Sequence, residues 1–273
     1  MDNDLSQGIY PNISNFDYHR LKGISSSGIS VFKKSPKKYW YRYLSGQYIE
    51  TEKRDLVAGQ ALHTLLLEPD SFFQRFIIGL EGVDGRTKEG KRVKEEFITL
   101  AGDKTIVSPK DFDIVQGMSN SMKAHPLFDR LFVNGKIEHS LIWKQDDIFL
   151  KSRPDFYNDD FIVDVKTTRE ESPDDFSRSI LSYGYHRQAA MQIDGLSLLT
   201  GRQYKHHILF VVEKEPPYLC YMVSLDEESI NQGRIEYNNV ARDYAKCVKE
   251  NKWPAYSQKV ETIRLPEWYL KVA

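Results

Sequence analysis

Cysteine is almost missing from this chain. Among 273 residues only Cys220 and Cys247 occur. Two distant thiols make no disulfide framework and no metal-ligand spacing. They also fall short of the four thiolates an iron–sulfur cluster needs, so no such cluster is expected. A reducing, cytoplasmic setting is the expectation. Long apolar runs are missing too. With no stretch of about 18 apolar residues, no membrane span is expected. The opening MDNDLSQGIYPN has no basic region and no apolar region, so no secretory signal is expected. Net charge is small as well: 38 Lys and Arg stand against 39 Asp and Glu. That balance does not announce a nucleic-acid binder, so the distribution of charge has to be read instead. Repeats, low-complexity tracts and linkers are absent. The length suits one large domain or two small ones, and without a linker we read a single domain, residues 1–273.

What is present centres on Ser152 to Thr168, SRPDFYNDDFIVDVKTT. Tyr157-Asn158-Asp159-Asp160 reads as a tight turn, and its flanks, 148–156 and 161–168, as a β-hairpin. Side chains alternate along a strand. Phe161, Val163, Val165 and Thr167 then share one face, and Ile162, Asp164, Lys166 and Thr168 the other. The hairpin brings Asp155 towards Asp164. Charges are unusual in so strong a β pattern, and broken local rules mark working sites. Two carboxylates and an amine suit phosphodiester hydrolysis. The carboxylates hold Mg²⁺, which prefers oxygen ligands. The lysine orients or deprotonates a water and offsets transition-state charge. Glu138, on an expected strand 137–144, can reach the same place. A solvated hairpin with an ordinary Asp–Lys pair is the plainer alternative.

The remaining order is helices, then strands, a helix, two strands and a closing helix. That pattern reads as α/β, a central mixed β-sheet flanked by helices. Residues 1–23 read as an irregular lead-in, 24–135 as mostly helical, and 136–273 as the catalytic sheet with its flanking helices. Two short helices meet at Ser35-Pro36. Around them Lys33, Lys34, Lys37, Lys38 and Arg42 interleave with Tyr39, Trp40, Tyr41 and Tyr43. Residues 84–94 read as a second basic loop, with Arg86, Lys88 and Lys91. Basic residues among aromatics suit a phosphate backbone and exposed bases. A solvated face with core aromatics is the alternative. A helix over 55–67 carries His63 among leucines, with Gly59 four residues earlier; 106–131 also reads as helical. After the hairpin, Tyr185 and Gln188 share a helix face, with Gln192 one turn on.

Four blocks together resemble the RecE-type exonucleases of the RecB-like PD-(D/E)xK nuclease superfamily, found in phages and prophages. They are Ile24-Ser25-Ser26-Ser27 with Ser35-Pro36-Lys37-Lys38-Tyr39; Gly59 to His63; Arg153-Pro154-Asp155 with Asp164-Val165-Lys166-Thr167-Thr168; and Tyr185 to Ala190. The resemblance runs from about Ile24 to Trp268. It implies that His63, Asp155 and Asp164 reach the metal, with Glu138 a weaker candidate. Lys166 then serves the water or the transition state, and Gln188 and Tyr185 line the site. It also implies a Mg²⁺-dependent exonuclease, with Mn²⁺ able to substitute, digesting linear double-stranded DNA 5′ to 3′ for recombination. A ring-shaped homotetramer and a single-strand annealing recombinase as partner are further implications. Gln192 departs from the pattern, since many relatives have tyrosine there. A site-specific or structure-specific endonuclease and a non-catalytic DNA-binding scaffold remain as other readings.

Overall fold

A five-stranded and a three-stranded sheet share the second half of the chain, which passes between them at two neighbouring points. This computed structural model describes residues 6–49, 54–257 and 259–270. Residues 1–5 of the lead-in and 50–53 beyond the first basic helices lie outside the described residues. In chain order the first half contains β1 (Gly8–Tyr10), α1 (Asn15–Arg20), α2 (Ser26–Lys34), α3 (Pro36–Tyr43), α4 (Arg54–Leu67), α5 (Phe72–Arg75), β2 (Phe76–Ile78), α6 (Lys88–Ala101), β3 (Thr105–Val107), α7 (Pro109–Lys123) and α8 (Phe128–Leu131). The second half contains β4 (Lys136–Ile137), β5 (Ser140–Gln145), β6 (Ile148–Ser152), β7 (Phe156–Tyr157), β8 (Phe161–Thr168), α9 (Phe176–Tyr183), α10 (Tyr185–Thr200), β9 (His206–Glu213), β10 (Cys220–Ser224), α11 (Glu227–Glu250) and α12 (Glu267–Leu270). No described helix is long and apolar enough to cross a membrane.

The larger sheet has the order β10-β9-β8-β7-β4 and the smaller β1-β5-β6, while β2 and β3 form a separate parallel pair. Only β8 and β9 run parallel in the larger sheet. A parallel pair needs a long crossover, and α9 with α10 supply it. The expected side-chain alternation of β8 holds. Val163 and Val165 pack with Leu62 of α4 and Met118 of α7, whereas Ile162 packs with Ala189 and Ile193 of α10.

Several local expectations need correction. Residues 148–156 are not one arm of a hairpin. β6 pairs with β5 in the smaller sheet, and only Phe156 and Tyr157 pair with β8. Pro154 has no N–H for a ladder, so the chain leaves one sheet before it and joins the other after it. The turn itself is as expected: Asn158 Oδ1 accepts from the N–H groups of Asp160 and Phe161. Residues 137–144 are likewise split. Ile137 pairs with Phe156 in the larger sheet, and Ser140 opens β5 in the smaller. Between them Glu138 takes a left-handed φ of +54°.

The lead-in is ordered where it is described. β1 pairs with β5, and the buried Lys151 Nζ donates to the carbonyls of Tyr18 at 2.8 Å and Leu21 at 2.7 Å. Burial lowers the Lys151 pKa to about 7, and the amine supplies donors to carbonyls at the end of α1. The basic stretch 84–94 is mostly helix, because Thr87 caps α6 by accepting from Gly90 N–H at 2.9 Å. Residues 106–131 break into β3, α7 and α8, since Ser108-Pro109 starts a helix rather than continuing one.

Candidate active site

The site grows from the missing neighbour of β8. Strand β7 reaches only as far as Val163 on β8. From Asp164 onward that edge is open, and Asp155 fills it from the sheet crossing. Its Oδ2 accepts from Val165 N–H at 2.6 Å, and its own N–H points at Asp164 Oδ1 at 3.4 Å. Asp155 Oδ1 lies 3.2 Å from His63 Nδ1, and Glu138 Oε1 lies 3.7 Å from the same nitrogen. The three donor atoms are all within 4.8 Å of one another. Glu138 belongs to the first sheet crossing and Asp155 to the second, and Glu138 N–H donates to Asp155 O at 3.1 Å. A non-glycine residue in the left-handed region costs about 1–3 kcal/mol and tends to persist where function holds it.

Charge is concentrated here. Burial alone would lower the His63 pKa, but Asp155 and Glu138 outweigh it and lift it to about 10. Burial, then the negative charge of Asp155, raises Glu138 despite His63. Asp155 is lowered: burial opposes ionisation, but His63, Lys166 and the Val165 amide outweigh it. The imidazolium thus stands where the two carboxylates call for a positive charge. One imidazole nitrogen and two carboxylate oxygens form a donor set that fits a small divalent cation. Beside His63, a Cβ added to Gly59 would touch nothing, so that face of α4 is open.

Asp164 lies next to this trio and is fully buried. Its Oδ2 accepts from Lys166 Nζ at 3.2 Å. Burial would favour a neutral lysine, but Asp164 and Asp155 raise the Lys166 pKa above its ordinary value. Lys166 is therefore an ammonium that donates and carries charge. In this arrangement one of its protons is shared with Asp164 Oδ2. Tyr185 does line the site, with its ring centre 5.0 Å from Lys166 Nζ. Gln188 is half-buried one turn before Gln192 and makes no hydrogen bond to the carboxylates among the described residues.

Gln192, which the sequence marks only as a departure from the resemblance, holds Asp164 in place. Its Nε2 donates to both oxygens of Asp164, at 3.2 and 3.3 Å. Its Oε1 lies 2.6 Å from His207 Nε2. An amide oxygen only accepts, so Nε2 of His207 carries the proton. Burial is the largest reason that the His207 pKa falls to about 4, so the ring is neutral at pH 7. A neutral histidine thus fixes an amide, and the amide fixes Asp164. Two polar residues at apolar positions were the available signal: Gln192 within AAMQI, and His207 in β9 opposite Ile162.

The basic residues divide into tied and exposed ones. Lys33 pairs with Glu236 at 2.7 Å. Lys37 lies over the Trp40 ring, and Lys38 donates to Tyr256 OH. Arg42 lies near the Tyr43 and Tyr48 rings, and Arg86 pairs with Asp84. Lys34, Lys88 and Lys91 are exposed, with no ion-pair partner among the described residues. Tyr39 is core, buried with Phe32 and Tyr244, so it is no platform for bases. Among the described residues no hydrogen bond or ion pair joins these basic residues to the carboxylates.

Residues 25–266 match a sequence family described as PDDEXK-like domain of unknown function (DUF3799). Among solved structures, the fold is similar to that of a protein from Eubacterium rectale provisionally described as an exonuclease. The TM-score is 0.64 at 14% identity, covering 95% of this chain and 98% of that one. At that identity the likeness shows the fold alone. A protein named SSO0001 gives a TM-score of 0.26 at 16% identity, over 69% of this chain and 86% of its own, and supports no argument. No curated protein sequence matches the chain.

Proposed function

Because the chain belongs to the PDDEXK-like family DUF3799, and its α/β architecture is that nuclease core, we propose that it is a metal-dependent exonuclease of linear double-stranded DNA. The observation that carries this is the open edge of β8, where Asp155, Asp164 and Lys166 meet His63 and Glu138. His63, Glu138 and Asp155 would hold Mg²⁺ or Mn²⁺, with Asp164 adjoining. Such an ion, when bound, polarises a phosphoryl oxygen and makes a bound water more acidic. The protein's own groups do the rest. Lys166 presents its ammonium to developing charge on the phosphate. Asp164 keeps that ammonium aimed, and Gln192 with His207 keeps Asp164 aimed. Digestion from 5′ to 3′, assembly as a ring tetramer, and hand-over of the exposed strand to an annealing recombinase rest on the RecE-type resemblance.

Linear duplexes labelled at the 5′ or at the 3′ end, with circular controls, test the reading in Mg²⁺ and in EDTA. Stepwise loss of one strand from an end, abolished by EDTA and absent on circles, is the expected result. Cut circles would make it an endonuclease, and inert DNA would leave only a scaffold.

The DNA path over α2, α3 and α6 gives a separate expectation. Each phosphate contact removed should lower the log–log salt slope of binding by about 1, for all sequences alike. Lys34→Ala, Lys88→Ala and Lys91→Ala should each do so in Ca²⁺ buffer. Lys33→Ala should instead loosen the Glu236 contact and leave the slope nearly unchanged. If none of the three changes the slope, the DNA enters from another side.

A further inference from the structure

Phe176, Ile180 and Tyr183 recur at helical spacing along α9. Phe176 is buried with Leu209 and Val211 of β9, and Ile180 packs against that cluster. Tyr183 extends the same stripe yet is 65% exposed. Gly184 then takes a left-handed φ of +75° and separates α9 from α10, a conformation glycine adopts without strain. That bend brings Tyr185 against Tyr183. The two rings stack with centres 5.6 Å apart and planes 25° apart. Tyr185 also stacks on Phe176, at 5.9 Å and 29°, so the pair is braced from the core. Lys166 Nζ is 5.0 Å from the centre of the Tyr185 ring. The bare ring of Tyr183 is therefore no more than about 11 Å from the ammonium.

We propose that Tyr183 is a stacking platform for one nucleobase of the attacked strand, a nucleotide or two from the phosphate that Lys166 serves. The proposal rests on the nuclease reading and names a substrate contact for it. Every base has a π-face, so such a platform is indifferent to sequence. It also gives a place to a terminal base that has left its pair, which removal of nucleotides from a duplex end requires.

The probe is a linear duplex with an abasic nucleotide moved through the first four positions of the attacked strand. Binding is read by fluorescence anisotropy in Ca²⁺, and kcat/KM in Mg²⁺. At one position the abasic duplex should bind the wild-type protein about tenfold more weakly, as loss of one stacked base predicts. Tyr183→Ala should bind intact duplex about tenfold more weakly and lose nothing further at that position. Tyr183→Phe should behave as wild type. This non-additivity is something an indirect structural effect would not produce. Additive losses at every position, or Tyr183→Ala binding like wild type, would overturn the platform and leave the nuclease standing. Wild-type protein that neither binds nor degrades linear duplex would overturn both.

Discussion

Asp164→Asn should lower cleavage of linear duplex by roughly 10²–10⁴-fold while the protein still folds. Asp164→Ala should lose cleavage and stability together. Asp164 is fully buried and accepts hydrogen bonds from Lys166 and from Gln192. Truncation leaves an ammonium and an amide without that acceptor in a dry place. Removing one partner of a buried pair costs about 3–5 kcal/mol. Asparagine keeps the shape and one acceptor oxygen but gives up the charge that aims Lys166. The check is turnover and a urea melt on both variants. Asn-variant turnover equal to wild type would remove Asp164 from the chemistry. An Ala variant as stable as wild type would show that the buried bonds contribute little.

His63→Ala should abolish most of the stabilisation that Mn²⁺ or Mg²⁺ gives. Binding to the folded state alone stabilises by RT ln(1 + [L]/Kd), about 2.7 kcal/mol at one hundred times Kd. A hundredfold weaker site at the same metal concentration would give about 0.4 kcal/mol. In melting temperature that is a fall from roughly 5–10 °C of metal-induced shift to about 1 °C. The donor geometry motivates this, since His63 Nδ1 faces both carboxylates. A different outcome has a different meaning. If the variant melts lower in EDTA by about 1–3 kcal/mol yet keeps the whole metal shift, His63 is a packing residue. Calorimetry with metal alone reads this without DNA or turnover.

Much of this was legible in the chain, and the failures have physical causes. The alternation of 161–168 fixes which face Asp164 and Lys166 share, because a strand's period allows no drift. The break at Ser35-Pro36 was legible for a similar reason: proline tolerates the first turn of a helix. The sheet crossings were not legible. Pro154 says only that a ladder is interrupted, and nothing local says that the chain re-enters a different sheet. The role of Gln192 was hidden because it needs His207, fifteen residues on and one strand away. From the sequence, two nearby carboxylates suggest repulsion that truncation would relieve. The structure gives Asp164 two donors, which reverses that expectation for stability. The core position of Tyr39 was not legible for a third reason. Burial of Tyr39 depends on Tyr244, two hundred residues away.

The two sheet crossings also bear on when the site exists. His63 comes from α4, Glu138 from the step between β4 and β5, and Asp155 from the step between β6 and β7. No single hairpin or helix pair carries all three. Such non-local contacts form only after the loops between them have closed, and loop closure is what slows folding. A chain still emerging from the ribosome, or one with a single sheet formed, has its acids scattered. It cannot gather the donor set, so hydrolytic capacity arrives with the finished fold. Under the proposed function, a half-made copy would lack the means to attack DNA.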